Sequence, residues 1–76
     1  MPKVDSIKRK DFEKFLVYVG CYYDRQKGDY IIYKRIGIKR PIVFQAKKEV
    51  PMFIVKNSLR VLGISVQDFL NILENL

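Results

Sequence analysis

Histidine is absent from this 76-residue chain. That removes imidazole general acid–base catalysis, every triad that needs an imidazole, and most transition-metal sites. Cysteine occurs once, at Cys21, so no intrachain disulfide staples the fold and a reducing cytoplasm is the natural setting. No apolar run approaches the roughly 18–20 residues of a membrane span, and the N-terminal MPKVDSIKRKD has no signal-peptide core. Acids are scarce as well: 8 Asp and Glu stand against 15 Lys and Arg, a net charge of +7. The length allows one domain, residues 1–76. A cytoplasmic protein with no membrane association, no metal and no cofactor is expected, with polyanions as the leading partner class because a dense positive charge concentrates phosphates around it.

The positive charge is concentrated in the middle of the chain. Arg25, Lys27, Lys34, Arg35, Lys39, Arg40, Lys47 and Lys48 share residues 25–48 with one anion, Asp29, so this block carries +7, equal to the whole protein. The flanking segments carry +1 and −1 and cancel. Charge-rich sequence also serves simply to solvate a face and to blunt edge strands, so the block alone leaves both readings open.

Periodicity predicts a helix over residues 8–19, with Phe12, Phe15, Leu16 and Val19 on one face. Ile7 and Phe12 are spaced for a hydrophobic staple around Lys8, although lysine is a poor N-cap. Gly20 is placed to stop the helix. The period then changes. Runs rich in strand formers flank Lys27-Gly28, predicting a hairpin of strands 21–26 and 29–35, and a second glycine turn at Gly37 leads into a third strand over 38–44. Pro41 makes that strand an edge or an irregular one. Residues 45–50 read as a polar connector. Helices over 52–62 and 65–75 follow, the first stopped by Gly63, the second opened by Ser65 with Asp68 in a capping-box variant. The expected fold is α+β, a small three-stranded antiparallel sheet with helices packed on one face, in the order α-β-β-β-α-α. Its other face must meet water or a partner.

These residues resemble a family. Arg25-Gln26-Lys27-Gly28-Asp29-Tyr30 in a hairpin, a basic strand after it, and Leu59-Arg60-Val61-Leu62-Gly63-Ile64-Ser65 are similar to the signatures of the HicA toxins, over roughly residues 8–74. The resemblance implies a double-stranded-RNA-binding-like fold, cleavage of mRNA, and a HicB-like antitoxin that covers the active face. It also exposes a departure. The histidine of the family's middle signature falls on Tyr30 and the serine before it on Asp29, while the family's Pro-x-His near the end of the third strand falls on Phe44-Gln45-Ala46.

That departure bears on chemistry. Cleavage by 2′-hydroxyl attack needs a base that is unprotonated near neutrality yet strong enough to take the proton. A phenol with a pKa near 10 is almost wholly protonated at pH 7. Tyr30 would need flanking cations such as Arg25, Lys27 and Lys34 to act, and Asp29 is the alternative base. The plainer reading makes Asp29 a turn residue and Tyr30 a strand aromatic that packs across the hairpin. The candidate catalytic residues are therefore Tyr30 and Asp29. The candidate RNA-contacting residues are Arg25, Lys27, Gly28, Lys34, Arg35, Lys39, Arg40, Lys47 and Lys48.

Tyr22, Tyr23, Tyr30 and Tyr33 interleave with these cations, the combination that grips single-stranded RNA by stacking and phosphate contact. Alternation predicts that one of Tyr22 and Tyr23 is inside and the other outside. Lys47-Lys48 before a helix resembles a phosphate clamp, though two loop lysines also serve solubility. Cys21 reads as a small core hydrophobe. Gly28 and Gly37 read as turn glycines, since no Gly-Lys-Ser/Thr follows either. Three functions compete: an RNA-binding member of the toxin family with nuclease activity lost or rebuilt without histidine, an active mRNA-cleaving toxin using Tyr30 or Asp29, and an interaction module bound by a HicB-like antitoxin.

Overall fold

The computed structural model describes residues 5–76. Its elements run β1 (Ser6–Lys8), α1 (Arg9–Tyr18), β2 (Tyr22–Lys27), β3 (Tyr30–Lys34), β4 (Ile42–Gln45), β5 (Glu49–Pro51), α2 (Met52–Leu62) and α3 (Val66–Glu74). The expected α+β class holds, with β2-β3-β4 forming a three-stranded antiparallel sheet.

Helix α1 buries the face its spacing predicts, Phe12, Phe15 and Leu16. It ends in a Schellman arrangement: Gly20 at φ +94° lets the Cys21 N–H reach the Leu16 carbonyl at 2.8 Å and the Gly20 N–H reach that of Val17 at 3.1 Å. Gly63, at φ +73°, closes α2 in the same way, with the Ile64 N–H on the Leu59 carbonyl at 3.0 Å. Ser65 caps α3 as predicted, its hydroxyl accepting from the Asp68 N–H at 3.1 Å.

The β2–β3 hairpin turns on Gly28 and Asp29, between the paired residues Lys27 and Tyr30. Only Gly28 of the two has positive φ (+59°), the requirement of a II′-like loop. The third strand is shorter than its expected span of 38–44. It starts at Ile42, because Gly37 at φ +94° and Pro41, which has no N–H to give a ladder, leave residues 35–41 as a loop.

The segment expected to be a polar connector contributes a strand. β5 pairs antiparallel with β1, Ile7 opposite Val50, and Ser6 Oγ donates to Glu49 Oε1 at 2.6 Å. This ladder solves a problem visible in the sequence. Lys8 and Pro51 are the N-cap residues of α1 and α2, and neither supplies a side-chain cap. Instead the first N–H of each helix is met across the ladder: Arg9 N–H donates to the Lys48 carbonyl at 2.8 Å, and Met52 N–H to that of Asp5 at 2.9 Å. The residue just before each strand thus satisfies an orphan donor of the helix that follows the other strand.

The core lies between β3–β4 and the three helices. Ile31, Tyr33, Ile42 and Phe44 of the sheet meet Phe12, Phe15, Leu16, Val55, Leu59, Leu62 and Phe69. Burial of each such side chain contributes about 1.5–3 kcal/mol. The edge-to-face pair of Phe15 and Phe69, with centroids 4.7 Å apart, adds about 0.5–1.5 kcal/mol. Cys21 is buried in this core, and burial pushes its thiol pKa up against an opposing pull from Arg35.

Candidate nucleic-acid interface

The register of the sheet assigns its two faces. Ile31, Tyr33, Ile42 and Phe44 point into the core, so their neighbours point away: Tyr30, Ile32 and Lys34 on β3, Val43 and Gln45 on β4. On β2, Tyr22 pairs with Lys34, Arg25 with Ile32 and Lys27 with Tyr30, which places Tyr22, Arg25 and Lys27 on this outer face too. Three cations and two tyrosines, 51% and 48% exposed at Tyr22 and Tyr30, therefore share one uncovered surface. Ile32 is buried beneath it, outside the main core cluster and between Arg25 and Val43 across the strands.

A register shift at Asp24 interrupts β2. The bulge brings the Asp24 carboxylate within 3.6 Å of both Arg25 Nη1 and Lys34 Nζ. One acid thus holds two of the cations side by side, at the cost of part of their charge. Tyr23 pairs with Tyr33 and so turns to the helical side, opposite to Tyr22, as alternation requires. It is nonetheless 54% exposed, so the expectation that one of the pair is inside fails. β2 is an edge strand with no buried residue, and it overhangs the helical layer.

Tyr30 and Asp29 sit at the hairpin end of the sheet. Tyr30 pairs with Gln45, and the Asp29 carbonyl accepts from the Ala46 N–H at 2.7 Å. Tyr30 and Ala46, on which the histidines of the resembled signatures fall, are thereby brought to one corner, close to Lys27 and Lys47 in the chain. Both Asp29 and Tyr30 are exposed. The corner contains the Asp29 carboxylate, the Tyr30 phenol and two lysines in sequence, but no imidazole. Among the described residues no group of three or more His, Cys, Asp or Glu side chains could hold a metal ion.

The remaining sequence candidates separate. Lys39 and Arg40 lie exposed in the β3–β4 loop, and Lys47 and Lys48 in the turn between β4 and β5. The Lys48 backbone meets the start of α1, and the residue lines a hollow with Lys8, Arg9, Lys10 and Glu49. Arg35 is turned inward: its Nη1 donates to the Val19 carbonyl at 3.2 Å and its Nη2 to that of Leu62 at 3.5 Å. It ties together the C-terminal ends of α1 and α2, where a cation complements both helix dipoles.

Sequence reasoning missed one polar network. The Tyr33 hydroxyl donates to Glu13 Oε1 at 2.8 Å, and Glu13 Oε2 lies 3.4 Å from Arg9 Nε. Burial, and then the bond to Glu13, hold the Tyr33 phenol pKa well above its ordinary range. Arg9 and Glu13 stand one helical turn apart, whereas Tyr33 lies twenty residues from Glu13 in sequence, so no local spacing signals the network.

A family model described as the HicA toxin of bacterial toxin–antitoxin matches residues 9–64, well over half of the chain. No curated protein and no solved structure matches it. The matched span runs from the start of α1 through the whole sheet to the end of α2, and so contains the outer face and the Tyr30–Ala46 corner.

Proposed function

The chain belongs to the HicA toxin family of bacterial toxin–antitoxin, and from that premise we propose that it binds RNA through the outer face of its sheet. The observation that carries the reading is the grouping of Arg25, Lys27 and Lys34 with exposed Tyr22 and Tyr30 on a face that no helix covers. Cations meet phosphates and the tyrosine rings offer stacking surfaces, which is sequence-tolerant recognition of single-stranded RNA. mRNA in the cytoplasm is the proposed target. No described helix is long and apolar enough to cross a membrane.

Nuclease activity is lost, or rebuilt without an imidazole, in this proposal. Rebuilding would use the corner residues, with Asp29 as base or Tyr30 as proton donor beside Lys27 and Lys47 stabilising phosphate charge. Expression without a partner separates the two. Growth arrest relieved by Tyr30→Phe or Asp29→Asn, with both variants folded, establishes a rebuilt site. Unimpaired growth with RNA binding retained establishes loss of activity. Absence of RNA binding overturns the proposal itself. The family assignment also supports an antitoxin partner. We propose a HicB-like protein that covers the outer face, so that RNA binding disappears in the complex.

A further inference from the structure

Two shallow grooves lie beyond the end of the sheet, on either side of the β3–β4 loop. One, of about 200 Å³, is lined by Tyr22, Lys34, Lys39 and Arg40, with Arg35 also in its wall although its guanidinium turns to the Val19 and Leu62 carbonyls. The other, of about 430 Å³, is lined by Lys39, Arg40 and Arg60, with Gly37, Ile38 and Val61. They adjoin at Ile38–Arg40, and neither has an acidic residue in its wall. Lys39, Arg40 and Arg60 form no ion pair among the described residues, whereas Lys34 shares Asp24 with Arg25. Ile36 stands in the wall of the first groove, 93% exposed.

Arg60 occupies the last turn of α2, where a cation is favoured by the helix dipole in any protein. That preference does not account for Lys39 and Arg40 lining the same groove without a counter-charge. Like charges gathered without an acid between them repel one another, and they are stabilised by an anion that bridges them. A polyanion crossing from one groove to the next meets that need at three side chains in succession.

We infer that the Lys39–Arg40–Arg60 groove extends the RNA path off the sheet, so that a single strand lying on Tyr22 and Lys34 continues over the β3–β4 loop to the end of α2. Tyr22 and Ile36 supply the surfaces on which bases rest along this path, and the three cations take the phosphates. This inference rests on the outer-face reading and adds to it a length requirement, a single strand long enough to leave the sheet, and a contact residue, Arg60, outside the basic central block.

The test compares the full chain with a Lys39→Gln, Arg40→Gln, Arg60→Gln triple variant, using oligouridylates of graded length across a salt series. All three positions are exposed, and circular dichroism and a melting curve check that the variant folds. Each phosphate contact to a single strand contributes about −0.7 to the slope of log Kobs against log[salt], so losing three flattens the slope by about 2. The variant is also expected to stop gaining affinity at a shorter oligomer than the parent. A variant that binds RNA with unchanged slope and length dependence overturns the inference and leaves the outer-face reading standing. A parent chain that binds no oligouridylate overturns both. If RNA binding is unchanged but the variant loses binding to polyglutamate, the groove takes an acidic protein segment, and the inference is wrong.

Discussion

Replacing Arg35 by methionine keeps an aliphatic stem against Gly20, which the Arg35 Cδ approaches closely enough to contact a side chain there at 3.6 Å, but removes the guanidinium. Two contacts are lost: the 3.2 Å bond to the Val19 carbonyl and the 3.5 Å bond to that of Leu62. A bond from a charged donor is worth about 1.5–3 kcal/mol when partly buried. The longer bond sits at the limit of good geometry, so only its dipole interaction of about 0.3–1 kcal/mol is counted. The expected loss is about 2–4 kcal/mol. For a domain of this size each kcal/mol shifts Tm by about 4–8 °C, so Arg35→Met melts roughly 10–30 °C below the parent. Arg35→Lys, with charge retained but no fork to span two carbonyls, loses about half as much. Thermal unfolding followed by circular dichroism reads both. An Arg35→Met protein that melts within about 2 °C of the parent refutes the helix clamp. A folded Arg35→Met protein that loses RNA affinity as Lys34→Gln does refutes it equally, since Arg35 would then belong to the interface and not to the helix clamp.

Burial of the Tyr33 phenol, and then its bond to Glu13, make stability depend on alkaline pH. The folded-state phenol pKa is raised, so the unfolded chain loses its proton first. The contribution is fully present below the ordinary phenol pKa near 10 and is lost as pH rises past it, by up to about 1.4 kcal/mol per pH unit. Urea unfolding midpoints above about pH 10 are therefore expected to fall less steeply for Tyr33→Phe than for the parent, and equal slopes refute the coupling. Ser65→Ala removes the cap on the Asp68 N–H and is expected to cost about 1 kcal/mol, most of it restored by Ser65→Asp. No change in the urea midpoint for Ser65→Ala refutes that assignment.

The local parts of this fold were legible because their signals are local. The face of α1, the stops at Gly20 and Gly63, the hairpin at Gly28 and the cap at Ser65 each depend on residues a few positions apart. The β1–β5 ladder was not legible. Each strand is three residues long, too short for a period, and the pairing joins Ser6 to Pro51 across most of the chain. Lys8 looked like a defective cap because its helix takes its hydrogen bond from Lys48, far away in sequence. The site divided in the same way. Sequence placed Arg25, Lys27 and Lys34 in one basic block, and register alone brought them onto one face with Tyr22 and Tyr30. Arg35 stands beside Lys34 in sequence yet points into the protein, because β3 ends at Lys34 and the chain turns there. The exposure of Tyr23 depends on how far the helices reach across the sheet, which no spacing within β2 encodes.

Salt dependence of RNA binding tests the central claim most directly, with the full chain compared against an Arg25→Gln, Lys27→Gln, Lys34→Gln variant on the same single-stranded RNA. For the parent, log Kobs is expected to fall linearly with log[salt], and the outer-face variant to have a slope shallower by about 2, three contacts at about 0.7 each. An affinity that does not change with ionic strength, or a slope untouched by removing all three cations, contradicts the account.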